Sequence, residues 1–199
     1  MDTSNAKRII TISRQHGSGG RMIGELAAKK LGYEYLDEVL IAKAAERTGL
    51  AADFIQKRSE YATSTSIFSY AFVSRNQGGS SIDDILFAAQ RDIILEAAEK
   101  GPCIIVGRSA DYILRECPDC LNIFIHASHE FKAQRLMQNY GLTHEEALKE
   151  MKVFDKKRAI NYKYVTDRNW GEARNYGLCL NSSFLGMEKC VDLIVEAAK

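Results

Sequence analysis

The sequence lacks any marked charge imbalance: 27 Lys and Arg against 26 Asp and Glu leave a net charge of +1. The overall balance therefore gives no support for a nucleic-acid or membrane surface. No apolar run approaches membrane-spanning length. Met1–Arg8 is polar, and Ile9–Ile12 is too short for the apolar stretch of a leader peptide. The five cysteines are an odd number at scattered spacings, which argues against a disulfide framework and for a reducing, cytoplasmic setting. Cys117-Pro118-Asp119-Cys120 has C-x-x-C spacing, but no second C-x-x-C or H-x₃-H accompanies it. A turn before a strand is the better reading than a zinc site. Internal repeats and a clear boundary between domains are also lacking, so the 199 residues read as a single domain.

What is present is an alternation of strand and helix patterns in a chain that is 46% hydrophobic and 27% charged. Arg8–Ile12 reads as a buried parallel strand, Met22–Leu31 as a helix, Tyr33–Leu36 as a short strand and Val39–Thr48 as a helix. In the first helix Ile23, Leu26, Ala27 and Leu31 share an apolar face. Further strands are expected at Cys103–Val106, Leu121–His126 and Tyr176–Asn181. Further helices are expected at Ile82–Lys100, Ala110–Glu116, His129–Tyr140, Thr143–Asn161 and Gly186–Ala198. Thr143 with Glu146 has capping-box spacing. This order predicts an α/β protein, a parallel sheet covered by helices on both faces. Residues 51–81 differ in character: Asp53–Glu60 has a helical pattern, but Tyr61–Ser81 is rich in Ser, Thr and Gly and reads as an insert.

The most informative segment is Ser13-Arg14-Gln15-His16-Gly17-Ser18-Gly19-Gly20-Arg21, between the first strand and the first helix. Glycines let the backbone turn through positive φ and approach a ligand. The helix mouth adds unpaired N–H groups and a positive dipole end. Together they predict an anion cradle, with polyphosphate as its usual occupant. The segment is not a standard Walker A, because no Lys and no Ser or Thr follow the glycines. A dinucleotide fingerprint fits less well, since Gly24 falls too late. A tight turn without a ligand is the plain alternative.

These residues carry a family likeness. The stretch from Ile9 to Ile41 resembles the start of cytidylate kinase-like proteins, relatives of bacterial cytidylate kinase. Cys103–Leu114 is similar to that family's strand followed by G-R-D, and Leu121–Leu136 to its next strand and helix. Asp155–Tyr162 is similar to its lid segment, D-x-x-R, and Tyr176–Ile194 to its last strand and helix. The resemblance implies a three-layer P-loop kinase fold with a helical acceptor-side insert (51–81) and a lid (141–175). It also implies ATP with Mg²⁺ and transfer of a phosphoryl group to a small acceptor, a nucleoside monophosphate. On it, Gly17–Arg21 wrap the donor phosphates, Asp37 lies on the acceptor side and Arg108 holds the acceptor. Asp155 and Arg158 belong to the lid, with Arg158 closing on the transferring group. There are departures: the Walker Lys register falls on Gly20, and the Mg²⁺ hydroxyl on Arg21 or Met22. Ser109 replaces the Asp of G-R-D, with Asp111 nearby, and Met151 with Lys152 stands where an upstream lid Arg is expected.

Phosphoryl transfer needs positive charge around a loosely bonded group, and Arg supplies it bidentately. Arg14 and Arg21 flank the glycines and are candidates to replace the absent Lys. Arg21, Arg108 and Arg158 are the expected catalytic cations. The donor-binding set is Ser13, Arg14, His16, Gly17, Ser18, Gly19, Gly20 and Arg21; Ser18 is the proximity choice for Mg²⁺, with Ser13 near it. Asp37, Arg108, Asp111, Asp155 and Arg158 form the expected acceptor set. Plainer readings stand beside these: Asp37 as a helix N-cap, and Arg158 with Lys156 and Lys157 as a solvated basic face. Trp170, Tyr162, Tyr164 and Tyr176 read as lid packing. A kinase for another acceptor, or a nucleotide-binding regulatory module without turnover, remains the alternative function.

Overall fold

In the computed structural model, residues 8–52 and 82–199 are described. The expected helix Asp53–Glu60 and the insert from residue 53 onward lie outside them. The central strand, β1 (Ile9–Arg14), is buried along its whole length. Its neighbours are β3 (Cys103–Val106) and β4 (Cys120–His126), with β2 (Glu34–Leu36) and β5 (Leu178–Asn181) outside them, in the order β2-β3-β1-β4-β5. All pairings are parallel; Ile9 sits opposite both Cys103 and Cys120.

Neighbouring strand residues point to opposite faces, so each strand feeds two cores. Ile9, Leu36, Cys103 and Ile105 pack under α2 (Glu38–Thr48), α3 (Ile82–Lys100) and α4 (Ala110–Ile113). Ile10, Ile12, Ile104, Ile123 and Ile125 pack under α1 (Gly20–Leu31) and α8 (Met187–Ala197). The result is a three-layer α/β/α arrangement. A third, smaller core joins α5 (His129–Tyr140) to α6 (His144–Thr166) through Ala133, Leu136, Ala147 and Met151. Among the described residues no helix is long and apolar enough to cross a membrane.

Several boundaries differ from expectation, for local reasons. β1 runs two residues further, because Ser13 and Arg14 continue to pair with Phe124 and Ile125 of β4. Helix α1 starts at Gly20 rather than Met22, with Gly19 as a left-handed N-cap. Its buried stripe is Ile23, Gly24, Ala27 and Ala28; Leu26, expected on that face, is 40% exposed. The capping box forms as expected: Glu146 N donates to Thr143 Oγ1 at 3.3 Å and Thr143 N to Glu146 Oε2 at 2.8 Å. Helix α6 then continues past Asn161 to Thr166, where Asp167 adopts a left-handed cap. The last strand begins at Leu178, since Tyr176 turns inward to pack on Phe124. A short helical turn, α7 (Ser182–Leu185), is capped by the Asn181 side chain and was not expected.

The chain leaves β1 toward β2 on one side of the sheet and leaves β4 toward β5 on the other. The carboxyl end of β1 therefore lies at the switch point where open α/β sheets bind ligands. Ile104 is fully buried on β3 and so tests the core assignment. Ile104→Ala is expected to cost about 2–5 kcal/mol. Urea unfolding should show a lower midpoint at unchanged slope; a loss below about 0.5 kcal/mol contradicts the core assignment.

Candidate active site

The loop after β1 is tied down on three sides. Gln15 N donates to Ile125 O at 2.9 Å. Ser18 is completely buried; its N and Oγ both donate to Gln15 O, at 3.3 and 2.8 Å, and Ser182 Oγ donates to Ser18 O at 2.7 Å. Ser18 thus serves the turn itself and does not reach the cleft wall. Gly17 and Gly19 have φ of +81° and +79°. A Cβ on Gly17 would meet Lys132 O at 2.9 Å, and one on Gly19 would meet Met187 Cε at 2.9 Å. Positive φ at both positions, and packing against the α5 backbone at Gly17, therefore favour these glycines before any ligand is considered.

Gly20 has a different reason. A Cβ there would lie 2.6 Å from Arg14 Cβ and 2.9 Å from its Cγ. A Cβ on Gly107 would lie 2.7 Å from Arg14 Nη1. The Arg14 stem thus passes over the mouth of α1, and its guanidinium rests at the end of β3. Arg14 is 8% exposed, and Arg158 Nη1 donates to its carbonyl at 3.2 Å. At Gly20, the position that the family likeness assigns to a Walker lysine, the Arg14 stem leaves no room for a side chain.

Arg21 turns the other way. Its Nε donates to Asp37 Oδ2 at 2.5 Å, and the Tyr35 hydroxyl donates to the same oxygen at 3.4 Å. Asp37 occupies the N-cap position of α2 but caps nothing; its side chain fastens α2 to α1. Burial, and then the Asp37 charge, pushes the Tyr35 hydroxyl pKa well above its ordinary value.

After β3, Gly107, Arg108 and Ser109 have φ of +75°, +59° and +52° in succession. For the two non-glycine residues this conformation costs about 1–3 kcal/mol each and is typical of functional turns. Arg108 and Ser109 line a small cleft of ≈60 Å³ with Ser13, Arg14, Gln90 and Arg158. Asp111 does not join them. It is buried and accepts from the Tyr162 hydroxyl at 2.6 Å. Burial raises the Asp111 pKa, with the Tyr162 bond opposing. Burial, and then Asp111, pushes the Tyr176 hydroxyl up to about 12. Trp170 packs edge-on to Phe124 beside Tyr176, whereas Tyr164 is exposed.

A larger cleft of ≈450 Å³ lies on the other side of Arg14, lined by His16, Gly17, Gly19, Gly20, Arg21 and residues of α5 and α6. Arg14 and Arg158 line both clefts. A further cleft of ≈360 Å³, between α2 and α3, is lined by Lys43, Lys100 and the paired Arg47 and Glu96, away from the loop.

Helix α6 lies on the loop through two acids. His16 N donates to Asp155 Oδ1 at 2.7 Å, and the His16 ring, stacked on Phe154 at 4.3 Å, meets Glu150 Oε2 at 3.2 Å through Nε2. Sequence reasoning missed Glu150, Gln15 and Lys132. Lys132 is 2% exposed, and its Nζ donates to Gln15 Oε1 at 3.0 Å. Its signal was a Lys four residues before Leu136 on the apolar stripe of α5. A side-chain carboxylate is thus seated on a loop amide. For a metal the fit is poor: Ser18 faces inward, and no His, Cys, Asp and Glu cluster with ligand spacing occurs among the described residues.

The parallel five-stranded sheet, its two helical layers and the glycine turn at the end of β1 define a P-loop kinase-type fold. The chain belongs to the cytidylate kinase-like family, whose model matches residues 9–184. It is 21% identical over 187 residues to a cytidylate kinase from Ignicoccus hospitalis, covering 94% of this chain and 96% of that one. A crystal structure of an uncharacterized protein from Eubacterium ventriosum superposes with a TM-score of 0.71 at 22% identity, covering 96% and 97% of the two chains. Shikimate kinase from Bacteroides thetaiotaomicron gives a TM-score of 0.54 at 15% identity, covering 94% and 96%. These likenesses show the fold.

His16 provides a pH test. Burial first, then the Arg158 charge, lowers its pKa from the ordinary 6.5, with Glu150 and Asp155 opposing. The unfolded chain therefore binds a proton before the folded one does as pH falls below 6.5. The contribution is complete above that value and is lost toward the lower folded-state pKa. The stability difference between the wild type and His16→Gln should be constant above pH 7 and change in favour of the variant toward pH 5.5. Urea midpoints measured across this range check it; a pH-independent difference contradicts it.

Proposed function

We propose that this chain transfers the γ-phosphoryl group of ATP to a small acceptor, with a nucleoside monophosphate as the first choice. The observation that carries the reading is the pair Arg14 and Arg158, which line both clefts and so stand between them. A phosphoryl group passing between donor and acceptor needs positive charge there, fixed before the reaction begins. Arg14 is held by burial, and Arg158 is carried by α6.

The donor phosphates lie along Gly17–Arg21, where the first-turn amides of α1 donate to oxygen. Arg14 supplies the charge that a Walker lysine would supply. Arg21, held by Asp37, closes the outer edge of the loop. Arg108 projects from the left-handed turn after β3 and binds the acceptor's anionic group. Mg²⁺ bound with the nucleotide would supply charge neutralisation at the phosphate oxygens. Its protein ligands are not assigned, because Ser18 donates its hydroxyl to the turn.

One observation favours a different acceptor. Position 109 is Ser, and the neighbouring carboxylate, Asp111, is committed to Tyr162. The small cleft therefore receives no carboxylate from this segment, and an acceptor recognised by hydroxyl groups fits it as well. Chemistry on a small hydroxylated acid is in the printed name of the shikimate kinase that shares the fold.

Purified protein with ATP, Mg²⁺ and a panel of CMP, dCMP, UMP, AMP and GMP should turn over one monophosphate, read as ADP release. ATP binding without turnover across the panel moves the reading to another acceptor or to a regulatory module. Against the accepted substrate, Arg14→Met and Arg158→Ala should each lower kcat by about 10²–10³-fold, the scale of one lost fixed donor. Unchanged kcat in both variants would remove the two arginines from the chemistry.

A further inference from the structure

The Asp155 carboxylate sits where one amide donor and two cationic side chains converge from three parts of the chain. The loop supplies His16 N–H, 2.7 Å from Oδ1. Helix α6 supplies Arg158 Nη1, 3.6 Å from the same oxygen. Helix α5 supplies Lys132 Nζ, 3.6 Å from Oδ2. Lys132 is almost wholly buried, and its other contact is the neutral Gln15 side chain. An ammonium removed from water needs an anion beside it. Asp155 provides that anion.

The two partners differ in exposure. The Asp155 side chain is 19% exposed, against 3% for Lys132. Asp155 borders water, and Lys132 does not. The Lys132 stem is also held by the loop, since its Cβ lies 3.0 Å from where a Gly17 Cβ would be. Any anion that replaced the carboxylate would meet an amide, an ammonium and a guanidinium without further rearrangement of the loop.

We propose that His16 N–H, Lys132 and Arg158 form a phosphate subsite of the glycine loop, and that the Asp155 carboxylate fills it until a polyphosphate displaces it. The inference rests on the loop being the donor cradle, and it adds Lys132 on α5 as a second fixed charge beside Arg14. The exchange keeps Lys132 paired throughout, so no buried charge is stranded. A phosphate oxygen group carries more charge than one carboxylate and offers more acceptor positions. The displaced Asp155 takes with it one of the two acidic contacts that hold α6 on the loop; Glu150 on His16 is the other.

The test is calorimetric binding of inorganic tripolyphosphate to the full chain, without metal, in three forms. Asp155→Asn keeps shape and a hydrogen-bond acceptor while removing the competing charge. It should bind about tenfold tighter than wild type, the scale of one screened charge contact. Asp155→Asn combined with Lys132→Met removes both charges together, so the interior keeps no stranded ion. It should bind about tenfold more weakly than Asp155→Asn alone. Circular dichroism and thermal melts establish that each form is folded. Binding by Asp155→Asn that is equal to or weaker than wild type overturns the displacement. Equal binding by the single and double variants removes Lys132 from the subsite. Binding by none of the forms overturns the donor-cradle reading itself.

Discussion

The buried path of Arg14 is the constraint on which the site depends. A guanidinium with its stem crossing a helix mouth leaves no room for a side chain beneath it. Gly20 satisfies that below the stem and Gly107 at its tip. The loop is consequently glycine-rich for steric reasons. The same path brings a fixed positive charge to the boundary between the larger cleft and the smaller one. Strand β1 makes this possible by running on to Arg14, paired with Ile125, rather than ending before the loop.

Charge around the loop is balanced locally. Arg21 is matched by Asp37 and Lys132 by Asp155, while the His16 ring is hydrogen-bonded to Glu150. Each pair joins different elements, so electrostatics fastens α2 to α1 and α6 to both α5 and the loop. Pairs of this kind contribute little net stability once desolvation is counted, but losing one member is costly. Their consequence here is positional: acids on α6 hold it against the glycine turn while the guanidinium of Arg158 rests beside Arg14.

Much of the fold was legible because its signals are short-range. The β-branched runs Ile9–Ile12 and Cys103–Val106 can only be buried strands in this order, and Thr143 with Glu146 announces its own helix start. The loop was legible as a strand–glycine–helix pattern. What the sequence could not supply was long-range: that Arg14 rather than Arg21 crosses Gly20, that Asp111 turns to Tyr162, and that Ser18 closes the turn. Lys132 was hidden for a similar reason. A lysine among apolar neighbours on α5 looks like an ordinary amphipathic position until the loop, 117 residues earlier in the case of Gln15, packs against it. Leu26 misled in the opposite direction: helical spacing placed it on the buried face, but close packing of Gly24 and Ala28 against the sheet shifts the stripe away from it.

The central claim is that a guanidinium from the end of β1 does the work of an absent ammonium on a bound polyphosphate. The most direct measurement is a crystal structure with a non-hydrolysable ATP analogue. The account predicts the triphosphate along Gly17–Arg21 with the Arg14 guanidinium in hydrogen-bond contact with a β- or γ-phosphate oxygen. A triphosphate bound elsewhere, or one in the loop with Arg14 still turned to Gly107 and touching no phosphate, would contradict it.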